Sequence, residues 1–302
     1  MKKIIAVIVI ILTMAGVSIL PTGCVQQTYV TPEVLEQPVE QTVQQTITST
    51  ATATPMPTST PNPTSEETSE NATFSLNLDN DGLDDTVEIL QDIEESLIRI
   101  NITLGNGHTY SDEFDAYYYD KYDVVDLTGD GKNELLIISD YGTQGGCGQI
   151  KIDIYTVNEQ GGVEKLPMPM MRIEVAYDYP NGYDFKINYK DGFKFDVLRR
   201  DGTPITKNHV LSDDQKEEFI GWGYYAESGK CLNSNWDGWA DGFFSCKVIE
   251  YNGMSALEVP QYLCWFSHSN ELGYIYSVIS WPNGKLKLLD QYFSYENDDP
   301  GR

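Results

Sequence analysis

The sequence predicts an all-β protein, a propeller-like stack of short antiparallel blades with one minor helix. Three observations carry that prediction. A nine-residue acidic pattern at 77–85 recurs at 126–134, an interval of 49 positions that suits one repeat unit of several strands. Short runs of alternating apolar and polar residues, divided by Asn, Asp, Gly and Pro turn signals, fill the chain after residue 73. Aromatics make up 12% of the residues, with 20 Tyr, and such side chains favour a pleated, half-buried surface.

The 302 residues suffice for one or two domains, so core size is not limiting. Asp and Glu number 46 against 20 Lys and Arg, a net charge of -26. A surface that acidic repels phosphate backbones, so no nucleic-acid partner is expected, and divalent cations become natural ligands.

The first 23 residues read as an export signal. Lys2 and Lys3 precede an apolar run from Ile4 to Leu20, which ends at Gly23-Cys24. The small residue before Cys resembles a bacterial lipobox, with Pro21 where Leu is usual. The resemblance implies lipidation of Cys24 and a membrane-anchored, extracytoplasmic chain. The competing reading is an uncleaved membrane helix, since the apolar run sits at the lower edge of spanning length. Both place the remainder outside the cytoplasm.

Residues 24–72 change character completely. Thr, Pro, Gln, Ser and Glu dominate, and no basic residue occurs between Lys3 and Arg99. Such a segment buries too little apolar area to offset the entropy of ordering, so it is expected to be a disordered linker. As a flexible coil it spans about 40 Å, and stretched towards polyproline II roughly 150 Å.

Residues 73–302 are expected to hold the folded domain. Its first acidic pattern runs Asn77, Leu78, Asp79, Asn80, Asp81, Gly82, Leu83, Asp84, Asp85. The second runs Asp126, Leu127, Thr128, Gly129, Asp130, Gly131, Lys132, Asn133, Glu134. Oxygen side chains fill places 1, 3, 5 and 9 of both, with Gly at place 6. Ca²⁺ takes six to eight hard oxygen ligands, and oxygens at alternate positions of one loop can converge on a cation. Glycine at place 6 permits the sharp turn. The candidate metal ligands are therefore Asn77, Asp79, Asp81 and Asp85 in the first loop, and Asp126, Thr128, Asp130 and Glu134 in the second. A looser third match covers 233–241. The competing reading is a set of Asx-rich turns, which the same residues favour.

An EF-hand is excluded, because it needs Glu at place 12 between two helices. Glu88 fills that place in the first loop but Ile137 in the second, and strand-like Thr86–Leu90 and Leu135–Ile138 follow the two loops. A loop of this kind leading into a strand resembles the calcium-binding hairpin of FG-GAP/VCBS-type repeats, as in the integrin α-subunit propeller. Val125 to Ile137 is the best match. The closing stretches Gly273–Val278 and Gly284–Leu289 resemble those of bacterial lipoproteins that carry such repeats. The resemblance implies structural Ca²⁺ and a propeller-like domain.

Further along, Ile150–Tyr155 alternates as a strand. Phe185–Tyr189 and Phe193–Val197 flank Asp191-Gly192, and Tyr274–Ser280 and Lys285–Leu289 flank Pro282-Asn283-Gly284, so both pairs read as hairpins. Only Ser212 to Trp222 reads as a helix, with Ser212 and Asp213 able to cap it. These units fill about four or five blades. An open two-domain arrangement divided near residue 170 is the alternative.

With Cys24 lipidated, Cys147, Cys231, Cys246 and Cys264 permit two disulfides in three connectivities. Pairing 231–246 with 147–264 is one expectation, and four buried thiols the other. The three histidines, His108, His209 and His268, have no triad or metal-ligand spacing, and no G-x-S-x-G or H-E-x-x-H occurs. Cys147 lacks any local nucleophile signature. Trp222, Tyr224, Tyr225, Trp236, Trp239 and Tyr117–Tyr119 can pack or stack on sugar rings. The expected function is therefore binding of an extracellular protein or glycan. A cell-wall or polysaccharide-active hydrolase on the same scaffold is the alternative, since paired carboxylates for that chemistry come from distant strands.

Overall fold

The computed structural model describes residues 71–140, 149–171, 181–234, 238–267 and 270–295. The export signal, Cys24, nearly all of the linker, Cys147, the centre of the third acidic loop and His268 lie outside them. The chain divides into a unit of residues 1–60 and a unit of residues 61–302, and every described element belongs to the second.

Four antiparallel sheets make up that unit. The first is a meander of β1 (Ala72–Leu76), β2 (Asp85–Asp92), β3 (Leu97–Thr103) and β4 (Thr109–Asp115), in that spatial order. The second repeats it with β5 (Tyr118–Val125), β6 (Glu134–Asp140), β7 (Ile150–Val157) and β8 (Val163–Lys165). The 49-residue interval of the acidic pattern is thus one four-stranded sheet, and each acidic loop joins the first two strands of its sheet.

That regularity stops after β8. The third sheet has β9 (Phe185–Lys190), β10 (Lys194–Arg199) and β11 (Pro204–Val210), followed by α1 (Asp213–Gly221). Ser212 caps the helix through a reciprocal capping box with Gln215, which satisfies backbone N–H groups that have no helical partner. The fourth sheet runs β12 (Trp239–Phe243), β14 (Met254–Cys264), β15 (Glu271–Ser280) and β16 (Lys287–Ser294), with β13 (Lys247–Tyr251) also paired to β14. Pro260 sits in the middle of β14, where a missing N–H would normally break a ladder. It falls at the junction where the partner of β14 changes from β13 to β12, and its carbonyl still accepts from Phe244 N.

Packing explains the apolar run Leu135–Ile138. Leu135 and Ile137 join Val87, Ile100 and Phe114 in the core between the first and second sheets. Leu136 and Ile138 point the other way, into a core shared with Phe243, Val259, Ile279 and Trp281 of the fourth. A strand covered on both faces carries no alternation, because both sets of side chains are buried. A separate core holds the third sheet and α1 against the fourth, through Phe195, Val197, Phe219, Leu263 and Ile275. The core between the second and fourth sheets joins residues on both sides of position 170, such as Ile152 and Phe243, so the described elements do not divide there. No closed barrel or ring occurs among the described residues.

The expected 231–246 disulfide is corrected. Cys231, Cys246 and Cys264 all stand as thiols. Cys231 packs in the core of the third sheet, whereas Cys246 lies in the core between the second and fourth. Burial pushes the Cys246 thiol up to about 12, so it behaves as a small apolar side chain rather than a nucleophile.

Candidate functional site

The two acidic loops share one conformation. Place 4 has positive φ in both, at Asn80 (57°) and Gly129 (76°), and so does place 6, at Gly82 (87°) and Gly131 (85°). Place 5 accepts the N–H of place 7 in both, as Asp81 Oδ1 from Leu83 at 2.7 Å and Asp130 Oδ1 from Lys132 at 2.9 Å. The acid at place 9 is fully buried and reaches back to the N–H of place 2. Asp85 Oδ2 accepts from Leu78 N at 2.6 Å, and Glu134 Oε2 accepts from Leu127 N at 2.6 Å. Leu78 and Leu127 are themselves core residues, so each loop is pinned by a buried leucine and a buried carboxylate.

The other place-9 oxygens are engaged too. Asp85 Oδ1 accepts from Gly105 N at 2.8 Å, and Glu134 Oε1 accepts from the Thr156 hydroxyl at 2.8 Å. Burial raises the Glu134 carboxyl above its ordinary value, and the nearby Asp126 charge adds to the rise, against the hydrogen bonds that stabilise the anion.

The loops also touch, which no sequence spacing foretold. Asn133 N donates to Leu78 O at 2.8 Å, and Asn133 Nδ2 donates to Asn77 O at 3.2 Å. Asn80 Nδ2 returns a bond to Gly131 O. The second loop leans in turn on the β15–β16 turn, where Trp281 N and the Ser280 hydroxyl both donate to Leu127 O at 3.4 Å. Backbone contacts thus link the two acidic loops and the turn of the fourth sheet in series.

The first loop keeps side-chain oxygens that no hydrogen bond uses. Asn77 Oδ1 is buried and accepts no hydrogen bond, an orphaned oxygen at place 1. Asp79 uses one oxygen for Asp81 N, and Asp81 one for Leu83 N, so each retains a second oxygen. In the second loop Asp126 accepts from Gly129 N and Gly131 N through both oxygens, while Asp130 uses one. Among the described residues no three His, Cys, Asp or Glu side chains stand close enough together to hold a metal ion. In the third loop, place 9 is again a buried acid. Asp241 accepts from the Trp239 indole at 3.1 Å, and its Gly238 is required because an added Cβ would lie 2.6 Å from Cys264 O.

A second polar centre was not legible in the sequence. Lys165 Nζ lies 2.6 Å from Asp153 Oδ1 and 2.9 Å from Asp112 Oδ2, and Tyr155 donates to Asp112 at 2.9 Å. Lys151 stands 3.6 Å from Asp153 and 3.8 Å from the centre of the Phe114 ring. Lys151, Asp153, Lys165 and Phe114 line a cleft of about 820 Å³ with Leu97, Met168 and Asn181. Two lysines balance two aspartates here, so the cluster neutralises itself. The aromatic candidates divide: Tyr119, Tyr224 and Tyr225 are core residues, while Tyr117, Tyr118 and Trp222 are exposed. Trp222 packs on Phe266 with ring centres 4.3 Å apart.

Among the described residues no helix is long and apolar enough to cross a membrane. Residues 183–294, which contain the third and fourth sheets and α1, match the model of a family described as the YybI C-terminal domain. Comparisons with curated proteins and with solved structures return no match. Both acidic loops lie before the matched stretch, so the similarity concerns the other half of the sheet stack.

Proposed function

We propose that the chain is an extracytoplasmic binding protein, held to the membrane by lipid on Cys24 and carried clear of it by residues 24–72. The folded part is read as a propeller-like, calcium-stabilised stack that recognises a protein or glycan. The observation that carries this reading is the pair of acidic loops, alike in sequence and backbone, set at equivalent corners of successive sheets and touching. Asn77, Asp79, Asp81 and Asp85 would hold one ion, and Asp126, Thr128, Asp130 and Glu134 another. Calcium would neutralise acids that otherwise repel one another at that corner. The exposed Trp222–Phe266 pair offers an aromatic surface of the kind on which sugar rings stack.

Thermal unfolding of the full chain tests the metal. Extracellular calcium modules bind at about 0.1–1 mM, so roughly 1 mM Ca²⁺ should stabilise each occupied site by about 0.4–1.4 kcal/mol. We expect Tm to rise by a few degrees above its value in excess EDTA, with Mg²⁺ a poor substitute, and Asp130→Ala to remove about half of the rise. Equal Tm in EDTA and Ca²⁺ would leave the loops as ordinary Asx turns.

A second assay separates binding from catalysis. The full chain is mixed with cell-wall polysaccharides, and both retention and soluble product are measured. Retention without product is expected, whereas release of oligosaccharide would make the protein a hydrolase on this scaffold.

A further inference from the structure

Lys151 stands in the 820 Å³ cleft without a hydrogen bond to any described residue. Lys151, Asp153 and Tyr155 alternate along β7, so their side chains share one face of the second sheet. That face meets β4 of the first sheet, which brings up Asp112 and Phe114. Lys165 of β8 takes both aspartates, at 2.6 Å from Asp153 Oδ1 and 2.9 Å from Asp112 Oδ2. Lys151 Nζ is left 3.6 Å from Asp153 Oδ2, beyond hydrogen-bond distance, and 3.8 Å from the centre of the Phe114 ring. Asp153 is 3% exposed, yet its Oδ2 accepts no hydrogen bond.

Two features set Lys151 apart from a hydrated surface lysine. Its side chain is only 18% exposed, and a second ammonium, Lys165, shares the same Asp153 and lies 5.3 Å from the same Phe114 ring centre. Burial pulls the Lys151 ammonium below its ordinary value and the Lys165 charge adds to the fall, against Asp153 and Asp112. A desolvated amine beside another cation is the arrangement that makes a lysine nucleophilic towards a carbonyl carbon. A neighbouring carboxylate with an unused oxygen can carry the protons that such an addition moves.

The cleft also selects what reaches the amine. Leu97, Leu166, Pro167, Met168 and Met170 give it apolar walls. With Lys151 neutral, Asp112, Glu113, Asp115 and Asp153 outnumber Lys165 and the Arg99 that pairs with Glu113. That balance repels an anionic carbonyl compound and admits an uncharged one.

We propose that Lys151 is a covalent capture site for small uncharged aldehydes with an apolar body, which it holds as an imine in this cleft. The Lys151 nitrogen adds to the carbonyl carbon, a C–N bond forms, and the carbonyl electron pair moves to oxygen, which takes a proton. Asp153 removes a proton from the nitrogen and returns it to the departing oxygen. Water leaves as the C=N bond forms, so amine and aldehyde give imine and water with no change of oxidation state. The site goes beyond the tethered, calcium-stabilised reading and needs neither the metal nor the lipid. Excess EDTA should leave capture unchanged, so the two readings fail separately.

The test is reductive trapping on the full wild-type chain. Limiting hexanal is added with cyanoborohydride, which fixes each imine as a secondary amine, and peptide mass spectrometry reads the rate at every lysine. Lys151 should be trapped at least about tenfold faster than the exposed Lys230 and Lys247 at neutral pH. Its rate should also reach half of its maximum at a lower pH than theirs, a readout that a purely structural lysine would not give. With glyoxylate, an anionic aldehyde, the preference for Lys151 over Lys230 should fall by about tenfold or more. The proposal is overturned if hexanal labels Lys151 no faster than Lys230, if the two rates rise over the same pH range, or if glyoxylate keeps the full preference.

Discussion

Trp281→Ala is expected to destabilise the fold by about 4–6 kcal/mol, enough to unfold a large fraction of a domain of ordinary stability. Trp281 is fully buried where the second and fourth sheets meet, among Leu136, Ile154, Phe243 and Ile279. Removing so large a buried side chain costs about 3–5 kcal/mol, because the surrounding strands cannot collapse into the cavity. Its indole N–H also donates to Pro167 O at 2.7 Å, so the truncation strands a carbonyl at about 1 kcal/mol or more. Trp281→Phe keeps most of the volume and loses only the donor, and should cost about 1–3 kcal/mol. Urea unfolding followed by far-ultraviolet circular dichroism gives both numbers. An alanine variant within about 1 kcal/mol of wild type would mean that the two sheets do not pack as described.

Lys165→Met should cost about 3 kcal/mol. Lys165 bridges Asp153, whose side chain is only 4% exposed, and Asp112. Breaking a buried pair by removing one partner leaves an uncompensated charge, at about 3–5 kcal/mol. The low end applies because Lys151 remains 3.6 Å from Asp153. Adding Asp153→Asn to Lys165→Met should recover part of the loss, since the stranded charge is then gone. A double variant no more stable than Lys165→Met would show that packing, not charge, dominates at this position.

The same cluster gives a pH signature. Burial pushes the Asp112 carboxyl up, but hydrogen bonds from Lys165 and Tyr155 outweigh it and hold the group below its ordinary value. Its contribution is therefore present above the ordinary aspartate range and is lost as pH falls through the lowered folded value. Burial pulls the Lys165 ammonium down, but Asp153 and Asp112 hold it above its ordinary value, so its contribution is lost as pH rises through that raised value. Lys165→Met removes both arms, and its stability deficit should be largest between them and shrink at either extreme.

Much of the local structure was legible because it is local. The Asp191-Gly192 hairpin pairs Phe195 with Tyr189 and Val197 with Ile187, as the alternation implied, although Phe193 belongs to the turn at φ 57° rather than to the strand. Ser212 caps α1, and Ile150–Tyr155 lies within β7. These features depend on neighbours a few positions away, and spacing records such neighbours. The breakdown of the repeat after β8 was not legible, since alternation does not specify which strand pairs with which. Nor were the thiols of Cys231 and Cys246, because cysteine counting cannot tell which core each residue enters.

The acidic loops divide along the same line. Residue types at places 1, 3, 5, 6 and 9 announced a sharp, oxygen-rich turn, and glycine at place 6 foretold positive φ, because one residue's steric freedom decides that. Only the tertiary structure decided that Asp85 and Glu134 are buried beneath their loops, that Asn133 bonds to the neighbouring loop, and that Arg199 reaches Gln291 across two sheets. Those partners lie from 7 to 92 positions apart, and bonds at such separations exist only once sheets have stacked and excluded water from the seams between them.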